Sequence, residues 1–304
     1  MKDEYLWDRS GAADPEVERL ERVLAPLRYR HRELQAPVRR VGGARWAVAA
    51  AVIGAAAALV MVVAPAAPDT QWEVAGAKLH RGQVVRTGSA SVTLEADAVG
   101  RVDLAPNSEL QASAEKRLTL RSGELHAFIW APARAFVVDT PSARAVDLGC
   151  EYTLNVDAKG DGLLRVSLGW VAFQVGDHEA FIPAGARCVT RKKSGPGIPY
   201  YEDAPAALMA GVAALERGES AALGGVLSAA RARDGLTLWH LMTRVPERDR
   251  GAVFDRFREL VRVPDGVTRE GVVRRDAKMI DQCWNALELE NTGWWRGWER
   301  RWSE

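Results

Sequence analysis

The sequence predicts a multi-domain α+β membrane protein: a short N-terminal helical segment, one transmembrane helix, an all-β region and a C-terminal α-helical domain. Three observations predict it. An uncharged stretch runs from Trp46 to Pro68, with Arg39, Arg40 and Arg45 on its N-terminal side and Asp69 as the first charge beyond it. Short alternating runs punctuated by Gly, Pro, Asn and Asp fill the chain from Trp72 to about Thr190, which is strand patterning. Helical spacing returns after Asp203.

In the N-terminal lead, Asp14 and Pro15 form a helix start: a side-chain cap, then a ring whose missing N–H is not needed in the first turn. Val17, Leu20, Leu24 and Leu27 recur at helical spacing, with Glu16, Glu18, Arg19, Glu21 and Arg22 on the opposite face. Pro26 kinks this helix, and Tyr5, Leu6 and Trp7 are placed to fold back onto its apolar stripe. Two uses fit equally. One is a self-packed hairpin at the membrane surface; the other is a docking helix for a cytoplasmic protein, presenting Leu6, Trp7, Leu20, Leu24 and Leu27 to a groove.

A bilayer core about 30 Å thick needs about 20 apolar residues of helix, and the segment 46–67 supplies them. Val48, Val52, Ile53, Leu59, Val60, Met61, Val62 and Val63 carry the hydrophobicity, diluted by many alanines. Basic residues gather on the cytoplasmic side, so 1–45 is expected in the cytoplasm and the bulk of the chain in the periplasm. A cleavable signal peptide fits less well despite Ala64-Pro65-Ala66, because its apolar run is only about 7–15 residues and follows a short basic start. Gly54 and Ala58, with Ala50 before them, offer a small-residue face for a homodimer.

With 304 residues, the chain beyond the span is long enough for one or two further domains. A net charge of +1 without long runs of one sign makes nucleic acid an unexpected direct partner. Cys150, Cys188 and Cys283 all fall on the side expected to be oxidising. A disulfide is expected between Cys150 and Cys188, with two unpaired core thiols as the alternative. Cys283 shares an apolar helical stripe with Met279, Ile280 and Leu287 and belongs to a core.

Strands are expected at Ser91-Val92-Thr93-Leu94-Glu95 and Phe136-Val137-Val138-Asp139, and turns at Pro106-Asn107-Ser108, Ser122-Gly123, Lys159-Gly160-Asp161-Gly162 and Pro183-Ala184-Gly185. Such spacing predicts a β-sandwich or β-roll rather than an α/β sheet. Gly160 and Gly162 do not make a phosphate loop, since Arg165 stands where a third Gly belongs and no helix opens there; a hairpin turn accounts for them.

Five segments occur together in order: Arg86-Thr87-Gly88-Ser89, Pro106-Asn107-Ser108-Glu109-Leu110, Leu120-Arg121-Ser122-Gly123-Glu124-Leu125, Val138-Asp139-Thr140-Pro141-Ser142-Ala143 and Gly169-Trp170-Val171. In order and spacing they resemble the FecR domain. The resemblance covers well over a third of the chain and implies a β-sandwich or double-stranded β-helix. It also implies a single-span regulator whose outer domain receives a periplasmic signal and whose inner segment controls a cytoplasmic sigma factor, that is, an anti-sigma-type protein. Asp3-Glu4-Tyr5-Leu6-Trp7-Asp8 and the following helix resemble the inner segment of such proteins.

The departures matter too. Many anti-sigma inner domains carry a His-x3-Cys-x2-Cys zinc site, but His31 is the only candidate ligand before the span, so no metal is expected there. Gly149-Cys150-Glu151-Tyr152 stands where family members often have Gly-Thr before an aromatic residue. The residues after Pro199 lie outside the resembling region.

In the C-terminal part, helical spacing appears in Ala207-Leu208, Val212 and Leu215, then Val253, Phe254, Phe257, Leu260 and Val261, then Val272, Val273, Ile280, Trp284 and Leu287. Pro264-Asp265-Gly266 is a turn and Thr268 a cap. Trp294, Trp295, Trp298 and Trp302 alternate with Arg296, Arg300 and Arg301 on a last helix. They suit a membrane interface, sugar stacking, a protein interface or closure of the helical core.

No catalytic constellation is expected, and no cofactor. His31, His80, His126, His178 and His240 are scattered, each read as a hydrogen-bonded surface or strand residue; Gly218-Glu219-Ser220-Ala221-Ala222 lacks the second Gly of a nucleophile elbow. The expected organisation is 1–45 anti-sigma-like segment, 46–67 transmembrane helix, 70–198 periplasmic FecR-like β domain and 203–304 periplasmic α-helical domain. The expected function is signalling to a sigma factor in response to an unidentified periplasmic protein or ligand. The alternative is an envelope structural or adhesion module that binds peptidoglycan or another envelope protein.

Overall fold

The computed structural model describes residues 69–289 except 177, all within one compact unit. Strands β1 (Asp69–Val74), β2 (Ala77–His80), β3 (Val84–Arg86), β4 (Val92–Ala96), β5 (Gly100–Leu104) and β6 (Glu109–Ala114) lead into a long β7 (Arg117–Ile129). Then come β8 (Val137–Asp139), β9 (Arg144–Asp147), β10 (Glu151–Val156), β11 (Gly162–Leu168), β12 (Trp170–Val175), β13 (His178–Pro183) and β14 (Ala186–Arg191). Two short strands, β15 (Gly195–Pro196) and β16 (Tyr200–Tyr201), close the series. Alternation along these strands sets their faces. In β10, Tyr152, Leu154 and Val156 are buried while Glu151, Thr153 and Asn155 reach the surface.

Two sheets result, running β2-β1-β4-β5-β7-β10-β11-β14 and β3-β6-β7-β8-β9-β12-β13. β7 belongs to both: Arg117–Ser122 pairs with β6, and Gly123–Ile129 pairs with β5 and β10. Its change of sheet occurs at Gly123, where φ is 92°. A Cβ at that position would overlap Ser108 Oγ, so the backbone conformation and the close approach both call for glycine. Ser122-Gly123 is therefore a bend inside one strand instead of the expected turn.

Around that bend three of the resembling segments meet. The Thr87 hydroxyl donates to the Ala105 carbonyl (2.7 Å) and accepts from the Ser108 amide (2.8 Å), while Ser108 Oγ accepts from the Glu124 amide (3.0 Å). Thr87 and Ser108 are buried polar residues whose hydrogen bonds tie the first sheet to the second. The two sheets share one hydrophobic cluster, in which Trp72 lies 5.4 Å from Phe136 between ring centroids.

Helices α1 (Ala206–Glu216), α2 (Leu223–Ala229), α3 (Gly235–Arg244), α4 (Glu247–Leu260), α5 (Arg269–Val273) and α6 (Ala277–Asn285) follow. Thr268 caps α5 by accepting from the Gly271 amide, as its position implied. Cys283 and Ile280 of α6 are buried. The helices extend the strand core, because α3 lies against β13, the end strand of the second sheet. The Phe181 amide donates to His240 Nε2 (3.1 Å), and Arg244 donates to the Glu179 carbonyl (3.0 Å). These two side chains satisfy backbone groups of an edge that would otherwise invite pairing with another chain. His240 Nδ1 lies 2.9 Å from the Leu236 carbonyl, which assigns the proton to Nδ1 and leaves Nε2 as the acceptor. Trp284 packs on Trp239 (4.7 Å), Phe181 (5.5 Å) and Trp170 (5.9 Å). His240 is thus a buried helix residue, unlike the surface or strand position expected for it.

Two further expectations are corrected. The fold is mostly antiparallel sheet with a C-terminal helical region, and no helix among the described residues is long and apolar enough to cross a membrane. The longest of them, α4, has 14 residues and carries charge throughout its sequence. At 1.5 Å per residue it reaches about 21 Å, short of a roughly 30 Å hydrocarbon core. The transmembrane helix expected over 46–67 is therefore not shown; that segment, with Gly54 and Ala58, lies outside the described residues.

The second correction concerns the disulfide. Cys150, Cys188 and Cys283 are free, buried thiols. Register explains why: Cys188 pairs with Leu164, which pairs with Leu154, four residues along β10 from Cys150. Two strand spacings across and four residues along put the two cysteines about 16 Å apart. A disulfide needs Cα atoms within about 7 Å.

Candidate functional site

The segment Val138–Ala143 ends at a cleft of about 360 Å³ where three turns from the two sheets converge. The turn between β8 and β9 contributes Asp139, Pro141, Ser142 and Arg144; the β12–β13 hairpin contributes Gln174 and Val175; the β14–β15 turn contributes Lys192. The first turn is held by Thr140, whose hydroxyl donates to the Ala143 carbonyl (2.7 Å) and accepts from the Ala143 amide (2.9 Å). Thr190, buried on β14, donates to the Ser142 carbonyl (3.2 Å), joining the turn to the other sheet.

The electrostatics follow from the register. Asp139 pairs with Arg144 across β8–β9, and Arg144 with Gln174 across β9–β12, which puts all three on one face. One oxygen of Asp139 receives Arg144 Nε (2.9 Å) and the other receives Arg117 Nε (3.2 Å). The Gln174 amide is spent on Glu179 (2.7 Å). Asp161 anchors the remaining wall, accepting from the Lys192 amide (3.0 Å) and from Arg191 (2.9 Å). Those contacts, the backbone amide first, hold the Asp161 carboxyl below the usual carboxylate range. The cleft therefore presents Arg144 and Lys192 against a single carboxylate that two guanidinium groups already share.

A second polar cluster lies inside the fold. Asp147, at the end of β9, is fully buried and accepts from the Gly149 amide (2.7 Å) and from the Cys150 thiol. Burial raises its carboxyl to about 7, against the lowering effect of those two donors. The same burial pushes the Cys150 thiol well up, and burial carries Cys188 to about 12, so both stay protonated and weakly nucleophilic.

Of the residues singled out from the sequence, Cys150 and Cys188 are described, and the structure separates them. Leu6, Trp7, Leu20, Leu24, Leu27, Trp294, Trp295, Trp298 and Trp302 lie outside the described residues. Arg144, Gln174 and Lys192 were not anticipated. Val138–Ala143 stops one residue short of Arg144, and only strand pairing shows that Gln174 is its neighbour.

No family model matches the chain, and no curated protein does. Two crystal structures from Parabacteroides distasonis, described as a "putative anti-sigma factor" and determined at 1.65 and 2.50 Å, are partly similar. Each gives a TM-score of 0.35 at 13% identity, over 40% of this chain and 60% of theirs. This chain therefore matches less than two thirds of their length.

Proposed function

We propose that this chain is an anti-sigma-type regulator in which residues 1–45 hold a sigma factor and the β domain receives the signal that governs its release. The role is one of binding rather than catalysis. What carries the reading is the ordered set of five FecR-like segments together with the work their residues do. Thr87, Ser108 and Gly123 join the two sheets, and Thr140 shapes the wall of the cleft. Four of the five segments thus contribute residues that join the sheets or shape the cleft.

Affinity capture with the full chain, read by mass spectrometry, tests the proposal. A sigma factor is expected among the captured proteins and is expected to vanish with Leu20→Asp, which places a charge in the apolar stripe of the lead. Capture of no sigma factor, or capture unaffected by Leu20→Asp, sinks the reading. Recovery of envelope components alone would favour a structural module.

A further inference from the structure

We propose that the cleft between the β8–β9, β12–β13 and β14–β15 turns is a binding site for a small carboxylate that carries an apolar body. The inference rests on the reading of the β domain as the receiving part of the protein. The cleft's volume, about 360 Å³, falls within the roughly 300–1,000 Å³ of small-molecule sites.

Its walls are preorganised. Thr140 locks one turn, the Thr190–Ser142 bond ties that turn to β14, and Asp161 fixes the Lys192 backbone. The backbone of the walls therefore needs little reordering when a ligand binds. Gly160 lies beneath Pro141 and Lys192, where a Cβ would sit 3.0 Å from Pro141 Cβ, so the base of this wall is closely fitted.

The charge calls for an anion. Arg144 binds Asp139 through Nε, and its side chain remains 47% exposed. Asp139 is shared with Arg117, so it does not cancel Arg144 and Lys192 together. A planar carboxylate suits a guanidinium edge, which offers parallel N–H donors. The second feature is apolar: Val175 is 44% exposed at the rim, and Pro141 is exposed across from it. A purely hydrated anion such as inorganic phosphate gains nothing from that surface, whereas an acylated amino acid or a similar carboxylate uses both.

Isothermal titration of the full chain with N-acetyl-leucine and with its neutral analogue N-acetyl-leucinamide tests the assignment. The acid is expected to bind at least about fivefold more tightly than the amide, the worth of about 1 kcal/mol from partly exposed charges. Lys192→Gln, which leaves the Asp161 bond to the backbone intact, and Arg144→Gln are each expected to weaken the acid by a similar factor without changing the amide. Val175→Ser is expected to weaken both ligands. Equal binding of acid and amide, no detectable binding of the acid, or full binding to a folded Arg144→Gln/Lys192→Gln double variant overturns the proposal. Sigma-factor capture is a separate readout, so its failure would be recognised independently of this one.

Discussion

Asp147→Asn removes the one buried carboxyl that accepts from a thiol in this fold's described core, and its effect depends on pH in a way that can be worked out. The carboxyl titrates near 7 in the folded protein but near 3.9 in an unfolded chain. Folding therefore binds a proton between those values, and stability falls as pH rises through that window. The cost is absent below about pH 4 and fully developed above about pH 7, where the buried group must be charged. A shift of about three units at about 1.4 kcal/mol each sets the full cost at roughly 4 kcal/mol. Asn keeps the shape, and its oxygen can still accept from the Gly149 amide. Urea denaturation of the full chain at pH 5 and pH 8 is the assay. The variant is expected to gain on the parent by about 2 kcal/mol or more between pH 5 and pH 8, because most of the titration lies between them. Parallel pH profiles for the two proteins would refute the reasoning, since other groups such as Glu216 titrate in both.

Gly123→Ala is expected to lower stability by at least about 2 kcal/mol, combining left-handed backbone strain with overlap on Ser108 Oγ, and a thermal melt reads it. His240→Leu leaves the Phe181 amide without its acceptor and is expected to cost about 1–3 kcal/mol in urea unfolding. Trp284→Ala empties the aromatic contact between α6 and β12–β13, for about 3–5 kcal/mol; an unchanged midpoint would show that the helices do not stabilise the strands. Maleimide labelling after denaturation without reductant is expected to modify all three cysteines, whereas one modified site per chain would restore the disulfide.

Local pattern carried much of the β class. Period-2 alternation marks β4 and β8; Gly160 marks the β10–β11 hairpin turn (φ 84°), and Gly185 marks the turn by which the chain passes from β13 in one sheet to β14 in the other (φ 77°). Thr268 was legible as a cap because its role involves only the amide three residues on. Ser122-Gly123 shows where local reading fails. Positive φ at Gly123 is common to a turn and to a bend within a strand, and only pairing with β5, β6 and β10 distinguishes them. The disulfide failed for a related reason. Separation along the chain bears on loop entropy but not on register, and register places Cys150 and Cys188 on distant parts of the sheet. Helix α3 was not among the helical stretches read from the sequence, and its burial against the edge of β13 comes from packing between segments far apart in the chain.

By itself, the amino-acid order determined the strand character of 72–190, the return to helix after 203, and several places where single side chains cap or turn the backbone, since those choices depend on neighbours within a few residues. Tertiary structure alone decided that β7 serves two sheets, that α3 shields an exposed strand edge, and that Asp139, Arg144, Gln174 and Lys192 meet at one cleft. Each of those outcomes depends on pairing between segments far apart in the chain, and strand pairing places residues by register rather than by their distance in sequence.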